Sequence, residues 1–330
     1  MRIIVDAMGG DNAPLEIIKG SIEAKAEYGI DITLVGDEAV VKKCALDNGL
    51  DISDMQLVHA SEVIATDEDA DAVLKKKPDS SLAVSMRLLS EGEGDALVSA
   101  GNSGAICVGG TLIVKRIKGV KRPGFAPILP HFEGGCFMLL DAGANIDSRP
   151  EMLLQYAVMA SAYMEKVMKI DKPRIGLANV GTEEHKGGEL QHKTFELLKN
   201  SGLNFIGNVE GRDLPSGVCD VFVCDGFTGN LVLKTYEGVA KSMLKKVKEL
   251  FSKNAKNKLA AAMIMKDLKA MAKQFDYNEY GGAPIMGTAK PVFKAHGSAK
   301  AKTFKNAIRL TKEYVEADVI TEISKALSKK

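Results

Sequence analysis

A chain of 330 residues can bury a substantial core without staples, and its five cysteines are scattered with no CxxC spacing, which argues against a disulfide framework and a zinc cage. Tryptophan is absent and aromatic residues make up 5% of the chain, too few for the stacking platforms of a single-strand nucleic-acid binder, so nucleic acid is not expected as a partner. The formal net charge of +1 conceals an imbalance: residues 241 to 273 hold ten lysines against Glu249 and Asp267, a local +8 that points to an acidic partner such as an anionic membrane surface or an acidic protein.

In chain order, MRIIVDAMGG reads as a strand running into a turn rather than a secretory signal. Further apolar runs follow at ITLVGD (32 to 37), ALVSAG (96 to 101), CFMLLDAG (136 to 143), RIGLANVG (174 to 181), NFIGNVEG (204 to 211) and DVFVCDGF (220 to 227). They are near-continuous rather than alternating, as in parallel strands covered on both faces. Helix-period segments such as LEIIKGSIEAKAEYG, SSLAVSMRLLSEG, EMLLQYAVMASAYMEKVMK and LQHKTFELLKNSG lie between them. Repeated βα predicts an α/β fold with a mostly parallel, doubly wound sheet and a single catalytic domain over 1 to 330.

From Thr235 the pattern changes. Residues 235 to 252 and 257 to 274 predict two basic amphipathic helices, projecting as a pair over 235 to 276, and 299 to 328 is again helical. The apolar run LAAAMIM (259 to 265) near the start of the second helix is too short to cross a bilayer, so a cytoplasmic chain is expected.

Nearly every predicted strand ends in glycine with Asp, Asn or Ser, and in an open α/β sheet the carboxyl ends of the strands are where ligands bind. In SAGNSGA (99 to 105), Gly101, Asn102, Ser103 and Gly104 open a helix whose first N–H groups could hold an anion; no Walker lysine and no GxGxxG accompany them. DAMGGDNAP (6 to 14) is a second such turn, where Gly9 and Gly10 allow close backbone approach and Asp11 or Asn12 could cap the next helix. DGFTGN (225 to 230) offers Asp225, Thr228 and Asn230; the last is an amide donor for a carbonyl gaining charge or, equally, an N-cap. NVGTEEHKGGEL (179 to 190) alone carries a cation and an imidazole, Lys186 beside His185, with Glu183 and Glu184 to hold the lysine charged or simply be solvated. His59, His131 and His192 lack such context and read as structural, and no ligand spacing suggests a metal.

These turns in this order, with KKPDSSL, KRPGFAPILP, FIGNVEGRDL, EYGGAPIMG and AHGSA, span almost the whole chain and resemble the acyl-acyl-carrier-protein:phosphate acyltransferases of bacterial phospholipid synthesis, usually called PlsX. Gly188 stands where many members have Asn. The resemblance implies a three-layer α/β/α sandwich like those of phosphotransacetylase and isopropylmalate dehydrogenase. It also implies phosphorolysis of a long-chain acyl-carrier protein by inorganic phosphate without a cofactor, and a homodimer that associates peripherally with the membrane. There a glycerol-3-phosphate acyltransferase would consume the acyl phosphate.

On that reading Lys186 and Asn230 are the catalytic pair, Lys186 serving phosphate and transition-state charge and Asn230 the thioester carbonyl or a phosphate oxygen. Gly9, Gly10, Asn12, Asn102, Ser103, Gly104, His185, Asp225, Thr228 and His296 line the substrates. Leu259, Ala262, Met263 and Ile264 would dip into the membrane, or else pack on a second subunit. The rivals are a short-chain phosphate acyltransferase using acyl-CoA, a nicotinamide-dependent decarboxylating dehydrogenase, for which neither a dinucleotide fingerprint nor metal-binding aspartates are found, and a non-catalytic adaptor using the basic segment alone.

Overall fold

The computed structural model describes residues 1–274 and 280–328. Its strands, in chain order, are β1 (Arg2–Asp6), β2 (Asp31–Gly36), β3 (Gln56–His59), β4 (Ala96–Ser99), β5 (Gly124–Phe125), β6 (Ile128–His131), β7 (Gly135–Leu140), β8 (Ile175–Ala178), β9 (Phe205–Val209), β10 (Val221–Val223), β11 (Gly282–Met286) and β12 (Val292–Ala295). The expected strands are all present, and they divide between two sheets. One has the order β3-β2-β1-β4-β12-β11-β5 and the other β6-β7-β10-β8-β9. Within each sheet the pairings among β1 to β4 and β12, and among β7 to β10, are parallel, while β11, β5 and β6 add antiparallel pairs at one side. Residues 124 to 131 cross from one sheet to the other, pairing first with β11 and then with β7. A single apolar cluster draws on both sheets, including Val5 and Phe293 from the first and Met138 and Val221 from the second.

The helices are α1 (Leu15–Tyr28), α2 (Glu38–Asp47), α3 (Ser81–Glu91), α4 (Ser103–Leu112), α5 (Pro150–Lys166), α6 (Glu189–Lys199), α7 (Gly226–Ser252), α8 (Ala255–Met263), α9 (Met265–Gln274), α10 (Ala301–Glu316) and α11 (Val319–Ser328). α5 is buried along most of its length because Leu153, Tyr156, Ala157, Met159, Ala160 and Tyr163 leave it no polar side to expose.

α7 departs from expectation. It starts at Gly226, not 235, and buries only Gly226, Gly229 and Leu233; beyond Leu233 it carries exposed Val239, Met243 and Leu250. The helix expected over 257 to 274 is interrupted at Ile264, a β-branched residue with weak helix preference, whose ψ of 17° leaves the helical region. Asn254 starts α8 by accepting a hydrogen bond from the Asn257 N–H. Among the described residues no helix is long and apolar enough to cross a membrane. Cys136, Cys219 and Cys224 are buried free thiols; Cys44 and Cys107 are partly exposed.

Candidate active site

Three turns of the first sheet are locked together. Asp6, at the end of β1 and buried, accepts hydrogen bonds from the Met8 N–H at 3.2 Å and the Ser99 hydroxyl at 2.7 Å. Gly9 is required by close approach: a β-carbon there would fall 2.5 Å from Asp6 Oδ2 and 2.7 Å from the Gly101 nitrogen. Gly10 has a φ of +103°, and the Asp11 N–H donates to the Gly297 carbonyl at 2.8 Å. The turns after β1, β4 and β12 thus form one rim. Asn12 does not cap α1 with its side chain, whose amide donates to the Ser298 and Ala299 carbonyls; Asp11 does not cap α1 either, where Pro14 holds the cap position without a side-chain bond. Tying 297–299 to the first turn takes the amide instead.

Asn102 is the N-cap of α4. Its Oδ1 accepts from the Ala105 N–H, and its Nδ2 donates to the carbonyls of Ala65, Thr66 and Glu68. With the side chain committed, this turn can offer a ligand the first N–H groups of α4, at Ser103 and Gly104, with the positive end of the helix dipole.

These turns open on a crevice of about 280 Å³ lined by Asn102, Ser103, Lys234, Glu237, Lys294 and His296, so α7 supplies its far wall. His296 lies in the turn after β12, ahead of α10, and shares a 2.9 Å hydrogen bond between its Nδ1 and the Ser298 hydroxyl; burial holds its pKa below the ordinary imidazole value. Lys234 and Glu237 pair at 3.0 Å. Lys294, absent from the expected site, is 7% exposed and donates to the carbonyls of Ala100 at 2.9 Å and Ala295 at 2.7 Å. Burial pulls its pKa down to about 8, opposed by the negative charges of Asp6 and Asp11. Burial pushes the Asp6 carboxyl up, opposed by its hydrogen bonds. The sequence carried one signal for Lys294, a lysine inside the short apolar run VFKA.

In the second sheet Asp141, buried at the end of β7, accepts from the N–H groups of Phe125, Gly143, Ala144 and Asn145 and from the Asn145 side chain. α7 starts against this turn. Its cap is Asp225, which accepts from the Thr228 N–H and hydroxyl at 2.9 and 2.7 Å, so the N-cap role considered for Asn230 is excluded. Asp225 and Thr228 occupy each other. Asn230 is exposed in the first turns of α7 and stands beside Gly143, where a β-carbon would lie 3.3 Å from that of Asn230.

The 179–188 turn follows β8. The Asn179 amide donates to the Lys186 carbonyl, the Lys186 N–H to the Glu183 carbonyl, and the Asn208 amide to the Glu183 carbonyl. His192 Nε2 bonds the His185 carbonyl at 3.0 Å, giving a histidine read as structural the task of holding this turn. Lys186 and His185 are exposed. Glu184 pairs with Lys199 at 3.4 Å rather than with Lys186, for which the described residues provide no ion pair. A second cleft, lined by Asn179, Gly187, Gln191, Thr228 and Val232, joins this turn to α7. The candidate residues therefore form two groups on different sides of the first turns of α7. Asn102, Ser103 and His296 line the crevice with Lys294, Gly9 and Gly10 pack behind its rim against Gly101, Ala100 and Gly297, and the turn of His185 and Lys186 shares the second cleft with Thr228.

At the far end of the projection, Leu259, Met263 and Ile264 are 67%, 81% and 41% exposed, Ala262 is exposed, and the exposed Lys256, Lys258 and Lys266 flank them in sequence.

Comparison with known proteins adds three findings. The sequence profile of a family described as fatty acid synthesis protein matches residues 1–322. Proteins named phosphate acyltransferase are 51% identical in Caldanaerobacter subterraneus, over 99% of this chain and 97% of that protein, and 49% identical in Bacillus pumilus, over 100% and 98%. Among solved structures, a phosphotransacetylase from Streptococcus pyogenes superposes with a TM-score of 0.64 at 18% identity, covering 96% of this chain and 94% of that one. A branched-chain phosphotransacylase from Enterococcus faecalis does so with a TM-score of 0.59 at 14% identity, covering 96% and 99%; at such identities the likeness concerns the fold.

Proposed function

The chain belongs to the fatty acid synthesis protein family, its chemistry is acyl transfer to phosphate, and we propose that its donor is a long-chain acyl-carrier protein, whose thioester is converted to acyl phosphate for phospholipid synthesis. The observation that supports this most directly is the rim of strand-end turns, which offers backbone N–H groups and lysines to an anion while the buried cysteines stay out of reach.

Phosphate brings its own nucleophilic oxygen, so no covalent enzyme intermediate is needed. A phosphate oxygen adds to the thioester carbon, the tetrahedral oxyanion collapses, the C–S bond breaks, and the carrier departs as a thiolate whose conjugate acid has a pKa of about 8.5. The protein's task is to position the anion and stabilise developing charge. Lys186 supplies positive charge to the transition state from the second cleft, and the Asn230 amide donates to the carbonyl oxygen. The first N–H groups of α4 hold the phosphate from the crevice on the other side of α7.

The basic projection meets an anionic membrane, with Leu259, Ala262, Met263 and Ile264 in the interface and lysines on headgroups. The enzyme is cytoplasmic and peripheral, and it hands acyl phosphate to a membrane glycerol-3-phosphate acyltransferase. A second copy of the chain covers the exposed apolar face of α7 in a homodimer.

The test is incubation with palmitoyl-carrier protein and phosphate, trapping acyl phosphate with hydroxylamine, alongside palmitoyl-CoA and acetyl-CoA. Product from the carrier-bound donor at the higher kcat/KM is expected. Preference for acetyl-CoA would replace this reading with the short-chain one.

A further inference from the structure

Lys294 has no role in the chemistry described so far, yet it is the charged group the crevice holds most deeply. Lysine is rarely buried unless its charge is answered. Here two of three N–H groups go to neutral carbonyls, those of Ala100 and Ala295, and neither Asp6 nor Asp11 approaches within ion-pair distance among the described residues. One donor and the positive charge therefore remain for the crevice that Lys294 lines. A neutral amide could serve two carbonyls, so hydrogen bonding to the turn does not by itself call for a cation. The surroundings suit an anion: the first turn of α4 begins at Ser103 in the same wall, and Lys234 faces it from α7.

We propose that Lys294 is a phosphate-binding residue of the active site, donating its third N–H to the phosphate that attacks the thioester, while Lys186 acts from the separate cleft beside Thr228. This rests on the phosphorolysis proposed above. The charged and titratable groups that act on Lys294 or line its crevice are Asp6 of β1, Asp11 of the following turn, Cys107 of α4, Lys234 and Glu237 of α7, Tyr280 ahead of β11, and His296. With its pKa near 8, Lys294 is a cation at neutral pH and loses that charge in mild alkali, so phosphate binding weakens above pH 8.

The experiment measures acyl phosphate formation at varied phosphate for the wild type, Lys294→Met and Lys294→Gln. The KM for phosphate is expected to rise by about tenfold or more in both variants, with the KM for the acyl donor little changed. A wild-type KM for phosphate in either folded variant overturns the proposal. A second measurement needs no variant to fold: the Lys294 13Cε resonance of 13C-lysine-labelled wild type, recognised as the lysine signal titrating near pH 8, is followed against pH with and without millimolar phosphate. An upward move of the midpoint supports the site, and an unmoved midpoint overturns it. If the wild type makes no acyl phosphate from any donor, the reaction assignment falls, and the titration still decides whether Lys294 binds phosphate.

Discussion

A β-carbon added to Gly229 would lie 1.9 Å from the carbonyl oxygen of Asp141, so the start of α7 meets the end of β7 backbone to backbone. Replacing a mid-helix glycine by alanine ordinarily favours the helix by up to about 1 kcal/mol. At this position it forces the two elements apart, and Gly229→Ala is expected to destabilise by about 1–3 kcal/mol. Activity should fall too, because Asn230 and the Gly143 turn lose their registration. Denaturant midpoints and turnover check this, and wild-type stability would show that the contact yields freely.

Lys186→Ala and Asn230→Ala remove exposed groups, so both proteins should keep their stability to within about 0.5 kcal/mol. Turnover is expected to drop on the order of 100-fold in each if these groups stabilise charge in the transition state. Near-full activity in either variant would remove that residue from the mechanism.

Lys294 also sets a pH dependence of stability. Its pKa falls from the ordinary 10.5 to about 8 on folding, so between those values the unfolded chain carries a proton the folded one lacks. Stability contributed by this group therefore rises with pH over that window, by up to about 3 kcal/mol in total, and the desolvation cost is fully present below pH 8. The stability of the wild type minus that of Lys294→Met, taken from denaturant curves at pH 7, 8.5 and 10, should climb accordingly. A flat difference would mean that the lysine titrates normally.

The exposed tip can be tested by flotation. Leu259→Glu places a charge among Met263 and Ile264 and should abolish flotation with anionic vesicles while leaving turnover of soluble acyl-carrier protein intact. Unchanged flotation would assign the apolar tip to contact with another subunit.

Near-continuous apolar runs revealed β1, β2, β4 and β7 to β10, since strands covered on both faces carry that signature. They could not reveal two sheets, because strand order depends on partners remote in sequence: β4 pairs with β12, nearly two hundred residues later. β11 and β12 escaped notice as short segments interrupted by Pro284 and Lys294. Glycine-rich strand ends identified the turns after β1 and β4 that meet in the rim, whereas the expectation that the 179–190 and 225–230 turns join them is corrected, since those two lie along the second cleft. What the spacing could not say was which polar side chains fold the turns and which remain for a ligand. Asn12, Asn102 and Asp225 satisfy backbone, as such residues commonly do after a strand. Asn230 was freed only because Asp225 caps the helix.

A catalyst that handles activated acyl groups risks capturing them itself. Cys219 and Cys224 flank β10, and burial pushes the first thiol to about 12 and the second well above its ordinary value. Almost no thiolate exists there at neutral pH. Iodoacetamide and peroxide should leave both sulfurs unmodified in the native protein, and acyl migration onto them is closed off, which helps keep the route from thioester to phosphate free of a self-inactivating branch.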